Sequence, residues 1–235
     1  MLDLGSTEFV LAIPSFPEKD LRRLSSSLFD SWEVFVGGSV SVPDYSLFLQ
    51  VEEGSVKGKA TIGAFLAAVY FGIGTYGDFI SGLKTIGEQV GATGDYLSQQ
   101  AGRVFSCPPS RTTLKKRGGS LAALQRLFVR VQTGELTAEE AMNRAENLLG
   151  EEAAAEPDFM RKLADSLLNC PRYHQQRPLP HLEPAEELDA LLDVAPRMPR
   201  LPKPPVPVLG PPVQLRIEVW RESKNKRKQT RIIKL

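Results

Sequence analysis

Residues 60–77 run for eighteen positions without a charged side chain, between Lys59 and Asp78. A stretch like this has few homes. As a helix it either spans a hydrocarbon layer of about 30 Å or is buried within a folded domain. Its composition favours burial, because six of the eighteen residues are Gly or Thr and four more are Ala. Small residues of this kind let backbones approach closely. Read as one helix through 61–90, the segment gathers Phe65, Val69, Gly72, Tyr76, Ile80, Leu83 and Val90 into a stripe that would cover a sheet.

The sheet is expected from the residues before it. Residues 7–13 (TEFVLAI) read as a short strand, stopped by Pro14 and Pro17. Pro17 suits the first turn of a helix, and Leu21, Leu24, Leu28 and Trp32 follow at helical spacing. Residues 33–40 (EVFVGGSV) and 45–52 (YSLFLQVE) read as two strands of a hairpin, turning at Pro43-Asp44. Gly37-Gly38 marks a bulge in the first strand, and residues 55–60 extend the second past Gly54. The expected fold class is therefore α+β. Residues 1–105 form a small β-α-β-β-α domain that carries the glycine-rich apolar helix 61–90.

Beyond residue 91 the periodicity fades. Cys107-Pro108-Pro109 breaks the backbone and Gly118-Gly119 reads as a hinge, so a domain boundary is expected there. Residues 118–170 then read as a short three-helix domain. Leu121, Leu124, Phe128 and Val131 share one face of the first helix. Thr137-Ala-Glu-Glu140 fits a capping box at the start of the second. Phe159, Leu163 and Leu167 line the third.

Twelve of the eighteen prolines lie in residues 171–212, which read as a proline-rich linker. It encloses a helical island at 183–194, with Leu188, Leu191 and Leu192 on one side. Residues 213–235 return to strand chemistry. Val213, Leu215, Ile217 and Val219 alternate with polar neighbours, a polar turn follows, and TRIIKL can return as the second strand of a β-hairpin. A lone hairpin is marginal, so this one is expected to join a sheet, its own or a partner's.

Charge becomes informative only when the chain is divided. The total is 29 Lys and Arg against 28 Asp and Glu. Residues 103–131 carry seven basic and no acidic side chains, residues 134–193 fourteen acidic and five basic, and residues 214–235 eight basic and two acidic. This excludes a uniformly basic nucleic-acid coat but not a basic surface. The tail cluster Arg221, Lys224, Lys226, Arg227, Lys228 and Arg231, with Trp220 beside it, suits phosphate or an acidic protein surface. The acidic middle also makes self-association an option.

Gly72-Ile-Gly74-Thr-Tyr-Gly77 is a literal GxGxxG. A dinucleotide loop must follow a strand and open a helix, with an acid about 20 residues on for the ribose. The preceding GAFLAAVYF reads as helix, Asp78 would sit beside the phosphates, and Asp95 follows Gly-Ala-Thr-Gly rather than a strand. Gly72, Gly74 and Gly77 are therefore weak cofactor candidates, and no cofactor is expected. His174 and His181 lie in the proline-rich stretch without a frame for catalysis or metal binding, and neither Cys107 nor Cys170 belongs to a CxxC pair. The N-terminus lacks the pattern of a secretory signal, so a cytoplasmic location is expected.

These observations point to a non-enzymatic adaptor or assembly subunit. Leu188, Leu191 and Leu192 would engage a protein partner, and residues 214–235 nucleic acid or an acidic protein. A membrane-active protein inserting residues 60–77 is the second reading. A nucleotide-binding enzyme using GIGTYG is the third.

Overall fold

The structure is a computed structural model that describes residues 1–76, 78–173 and 215–235. Strand β1 (Leu2–Leu11) leads into helix α1 (Glu18–Ser39), which Pro17 precedes. Glu18 and Asp20 in its first turn complement the helix dipole. Leu21, Ser25, Leu28, Phe29, Trp32 and Val36 make one buried stripe. The stripe continues through residues 33–39, which corrects the expectation of a strand at 33–40. Val36 is fully buried, and packing along this face overrides the local β preference of EVFV.

The hairpin is formed instead by β2 (Ser46–Glu52) and β3 (Val56–Ala64), turning at Gly54 with φ +108°. That dihedral favours a residue without Cβ. The charge-free run is consequently divided. Its first five residues finish β3, and helix α2 (Leu66–Gly74) begins after Phe65. A second helix, α3 (Phe79–Val104), starts at Asp78, whose carboxylate accepts from Ser81 N–H at 2.9 Å. The single helix expected at 61–90 is therefore a strand end and two helices. Among the described residues no helix is long and apolar enough to cross a membrane.

Strand β4 (Thr112–Arg117) follows a single 3-10 turn at Pro109–Arg111. The expected loss of structure after residue 91 is thus replaced by the second half of α3 and an edge strand. Four helices come next: α4 (Gly119–Gln132), α5 (Ala138–Leu149), the five-residue α6 (Glu151–Ala155) and α7 (Pro157–Leu168). The capping box of α5 is present, with Glu140 N–H donating to Thr137 Oγ1 at 3.1 Å and Thr137 N–H donating to Glu140 Oε2 at 2.9 Å. The chain ends in β5 (Leu215–Arg221) and β6 (Gln229–Lys234).

The six described strands form one antiparallel sheet in the order β4-β1-β3-β2-β5-β6. With α1 and α3 as crossovers, β1-α1-β2-β3-α3-β4 is the split βαβ topology, widened by the C-terminal hairpin. The chain is therefore α+β. The hairpin joins its own sheet, where β5 pairs with β2 from Leu47↔Arg221 to Glu52↔Arg216.

Helices α1 and α3 pack on each other and on one face of the sheet. Phe35 and Tyr96 stack between them with ring centroids 4.0 Å apart. Leu11, Phe9, Leu49, Val51, Ile217 and Val219 point into this layer and are fully buried. Glycine permits the closest approach of helix to sheet, since a Cβ on Gly94 would lie 2.3 Å from Thr7 Oγ1. Beyond the end of α3, Phe159 of α7 meets Phe79 of α3 and Tyr70 of α2, at 5.2 Å and 5.9 Å between centroids. Helix α4 lies against both β1 and α3, and one hydrophobic core runs through all these elements.

Candidate functional site

Among the described residues, the helices leave one face of the sheet open. Antiparallel pairing puts directly opposed residues on the same face, so the register defines what that surface presents. One row runs Ser6–Thr61–Phe48–Trp220–Gln229. The next runs Lys115–Glu8–Lys59–Gln50–Glu218–Arg231, and a third crosses Val10, Lys57, Glu52 and Arg216. Arg117 stands opposite Ser6. The surface therefore combines two neighbouring aromatic side chains with six cations and three carboxylates.

Lys57, Lys59, Lys115, Arg117 and Arg231 are exposed, while Phe48, Trp220 and Arg216 are half-buried by their neighbours. Arg216 pairs with Glu52 at 2.7 Å, and Arg117 with Glu8 at 3.5 Å. Among the described residues Lys57, Lys59, Lys115 and Arg231 have no ion-pair partner. Two of the three carboxylates are thus neutralised locally, and the positive charge left over is spread across three strands, β3, β4 and β6.

The C-terminal turn is arranged differently from the phosphate-binding cluster read in the sequence. Arg221 lies on the helix side and pairs with Glu33 of α1. Lys228 pairs with Asp30 and donates to Ser26 Oγ at 2.9 Å. Lys226 pairs with Glu222 at 2.7 Å, which raises its pKa. Asp44 accepts from Ser223 Oγ and Lys224 N–H, both at 2.9 Å. These contacts fasten the hairpin to α1 and to the β2 approach. Lys224 and Arg227 are exposed at the turn, while Trp220 and Arg231 belong to the open face. Tyr45, beneath this corner, has its phenol pKa raised by burial and by the nearby Glu33 carboxylate.

Leu188, Leu191 and Leu192 lie outside the described residues, as do His174, His181 and Gly77. Gly72 and Gly74 are within α2, not in a strand-to-helix loop. A Cβ on Gly72 would lie 2.6 Å from the Ser41 carbonyl oxygen, so this glycine serves close packing. Tyr76 Oη donates to Ser41 Oγ and accepts from Gln89 Nε2, each at 2.7 Å, and Gln89 Oε1 accepts from Ser41 N–H at 2.9 Å. Asp78 caps α3, where the Ser81 hydroxyl and N–H hold its carboxyl below the ordinary range. Asp95 pairs with Lys116 at 2.8 Å. Gly72 and Tyr76 of this segment are thus occupied with internal contacts. Cys107 and Cys170 are buried free thiols.

Phe48 is the site residue that sequence reading passed over. Its signal was in the alternation of SLFLQVE, where Leu47, Leu49 and Val51 are buried and Phe48 stands in the polar phase. Lys57 and Lys59 show the same signal in VKGKATIGA. Comparison with protein-family models, curated protein sequences and solved structures found no match.

Proposed function

We propose that the chain is a cytoplasmic binding and assembly module whose open sheet face takes single-stranded nucleic acid. Phe48 beside Trp220 on an uncovered, net-basic sheet is the observation that carries this reading. Unpaired bases stack on aromatic side chains, while a surrounding positive surface follows the phosphates. Here Lys57 and Lys59 on β3 flank the aromatic pair on one side and Arg231 on β6 flanks it on the other. An open antiparallel sheet suits strands whose bases are unpaired and can be laid across it.

The test is fluorescence anisotropy with labelled oligothymidine and full-length protein. Trp220→Ala and Phe48→Ala should each weaken binding by about 1–3 kcal/mol, the range for loss of one base–aromatic stack. Lys57→Gln and Lys59→Gln should each lower the slope of log affinity against log salt by about 0.7, as expected for single strands. Duplex of the same length should compete poorly. Binding that ignores both salt and Trp220→Ala would refute the proposal.

A further inference from the structure

The sheet has two edges, and the β4 edge is built differently from the β6 edge. Ala12 N–H donates to the Arg111 carbonyl at 3.1 Å, which fixes the phase of pairing along β4. Thr113, Lys115 and Arg117 then turn their backbone groups toward β1. Leu114 and Lys116 turn theirs outward. Among the described residues, no backbone group accepts the N–H of Leu114 or Lys116. The Thr112 N–H is already used, donating to Pro109 O.

Beside this free edge lies a groove of about 530 Å³. Thr112 and Leu114 form its strand wall, and Ser98, Gly102 and Arg103 its helix wall. Helix and strand are held together at one end, where Lys116 and Asp95 pair at 2.8 Å. Gly102 adds no side chain to the helix wall, and a Cβ there would lie 3.3 Å from the Cys107 carbonyl oxygen. A strand added to β4 would therefore place one alternate side chain in this groove while its backbone bonded to Leu114 and Lys116. An edge strand beside a helix is the usual arrangement for β-augmentation.

Charge selects the occupant. Arg103 is exposed at the groove, Arg111 is exposed in the turn just before Thr112, and Lys115 stands exposed on the strand. Among the described residues no carboxylate lines the groove, and Asp95 and Glu8 beside β4 are engaged by Lys116 and Arg117. The far edge, β6, reads QTRIIK and is basic as well. Pairing of β4 with itself or with β6 of another copy would oppose like charges, a common defence of edge strands against self-association. We propose that the β4 edge binds an extended acidic peptide from a partner protein, with an apolar side chain seated between Leu114 and Gly102.

The experiment uses full-length protein and two labelled hexapeptides, Asp-Val-Asp-Leu-Asp-Val and its Lys-for-Asp counterpart, read by anisotropy. The acidic peptide should bind and the basic one should not. Leu114→Pro deletes an outward N–H and should weaken binding about fivefold to tenfold, the effect of roughly one lost main-chain hydrogen bond. Arg103→Glu combined with Arg111→Glu alters only exposed side chains. It should abolish acidic-peptide binding and admit the basic peptide, and circular dichroism should show an unchanged fold. Equal binding of the two peptides, no binding of either, or indifference to the charge reversal overturns the proposal. A dimer in sedimentation that Leu114→Pro dissociates would assign the edge to a second copy and overturn it too. Oligothymidine that displaces the peptide would merge the two surfaces and also count against it.

Discussion

Gly58 allows a quantitative challenge to the packing of the sheet against its helices. It lies on β3 between Phe9 of β1 and Val51 of β2, on the helix-covered face. A Cβ built there would stand 2.0 Å from Phe9 Cζ and 2.3 Å from Cε1. Ordinary carbon contacts are about 3.5–4.0 Å, so the ring would have to retreat by roughly 1.5 Å. Phe9 has 0% exposure and no room to do so. Overpacking of this kind costs about 1–3 kcal/mol, only partly offset by the 0.4–1 kcal/mol that Gly→Ala gains from the unfolded chain. Gly58→Ala should therefore destabilise by about 2 kcal/mol. Phe9→Leu should cost about 1–2 kcal/mol on its own. Leucine lacks the ring atoms that meet the new Cβ, so the double variant should be more stable than the sum predicts by at least about 1 kcal/mol. Urea unfolding of the four proteins measures this, provided the m-values agree. Additivity within about 0.5 kcal/mol would refute the idea that the Phe9 ring occupies the space above Gly58.

Two further outcomes follow from the polar contacts. Tyr76→Phe removes the hydroxyl shared by Ser41 and Gln89 and should cost about 1–2 kcal/mol in urea unfolding; a neutral result would mean that water replaces the hydroxyl without loss. Glu152 is pushed up by burial, but Leu66 N–H at 2.9 Å and the N-terminal ammonium outweigh this and hold its pKa down. A depressed folded-state pKa supplies stability above the unfolded-state value, and that stability is lost as pH falls through the folded-state value. Glu152→Gln should therefore destabilise by about 1 kcal/mol near neutrality and flatten the decline of stability below the ordinary carboxylate range; an unchanged acid profile would refute the assignment.

Where burial followed a simple period, the sequence was readable. The α1 stripe, the capping box of α5 and the alternation of β5 can all be seen in the residues. Boundaries failed where tertiary contact supplied the reason. Residues 33–39 look like a strand by themselves, yet Val36 is helical because its burial extends the line of Leu28 and Trp32. The change from β3 to α2 inside the charge-free run leaves no polar mark, because both sides of the junction are buried. The helical period fades beyond residue 91 in the sequence, whereas α3 runs on to Val104 and Gly94 within it lets the sheet lie close. Trp220 could be found from alternation. Phe48 stands in the polar phase of its own strand in the same way, but that the two rings are neighbours could not be read, because nothing local says that β5 will lie beside β2.

That pairing has a consequence for how the protein is made. The Glu52–Arg216 contact joins residues 164 positions apart. During synthesis β2 emerges early, with Leu47, Leu49 and Val51 along a margin that stays unprotected until β5 leaves the ribosome. For that interval the nascent chain presents an apolar, unpaired strand of the kind that recruits wrong partners. Closing it requires a long-range pairing, which is intrinsically slow. Yield and misassembly in cells should therefore be governed less by the stability of the finished sheet than by how soon its last hairpin arrives.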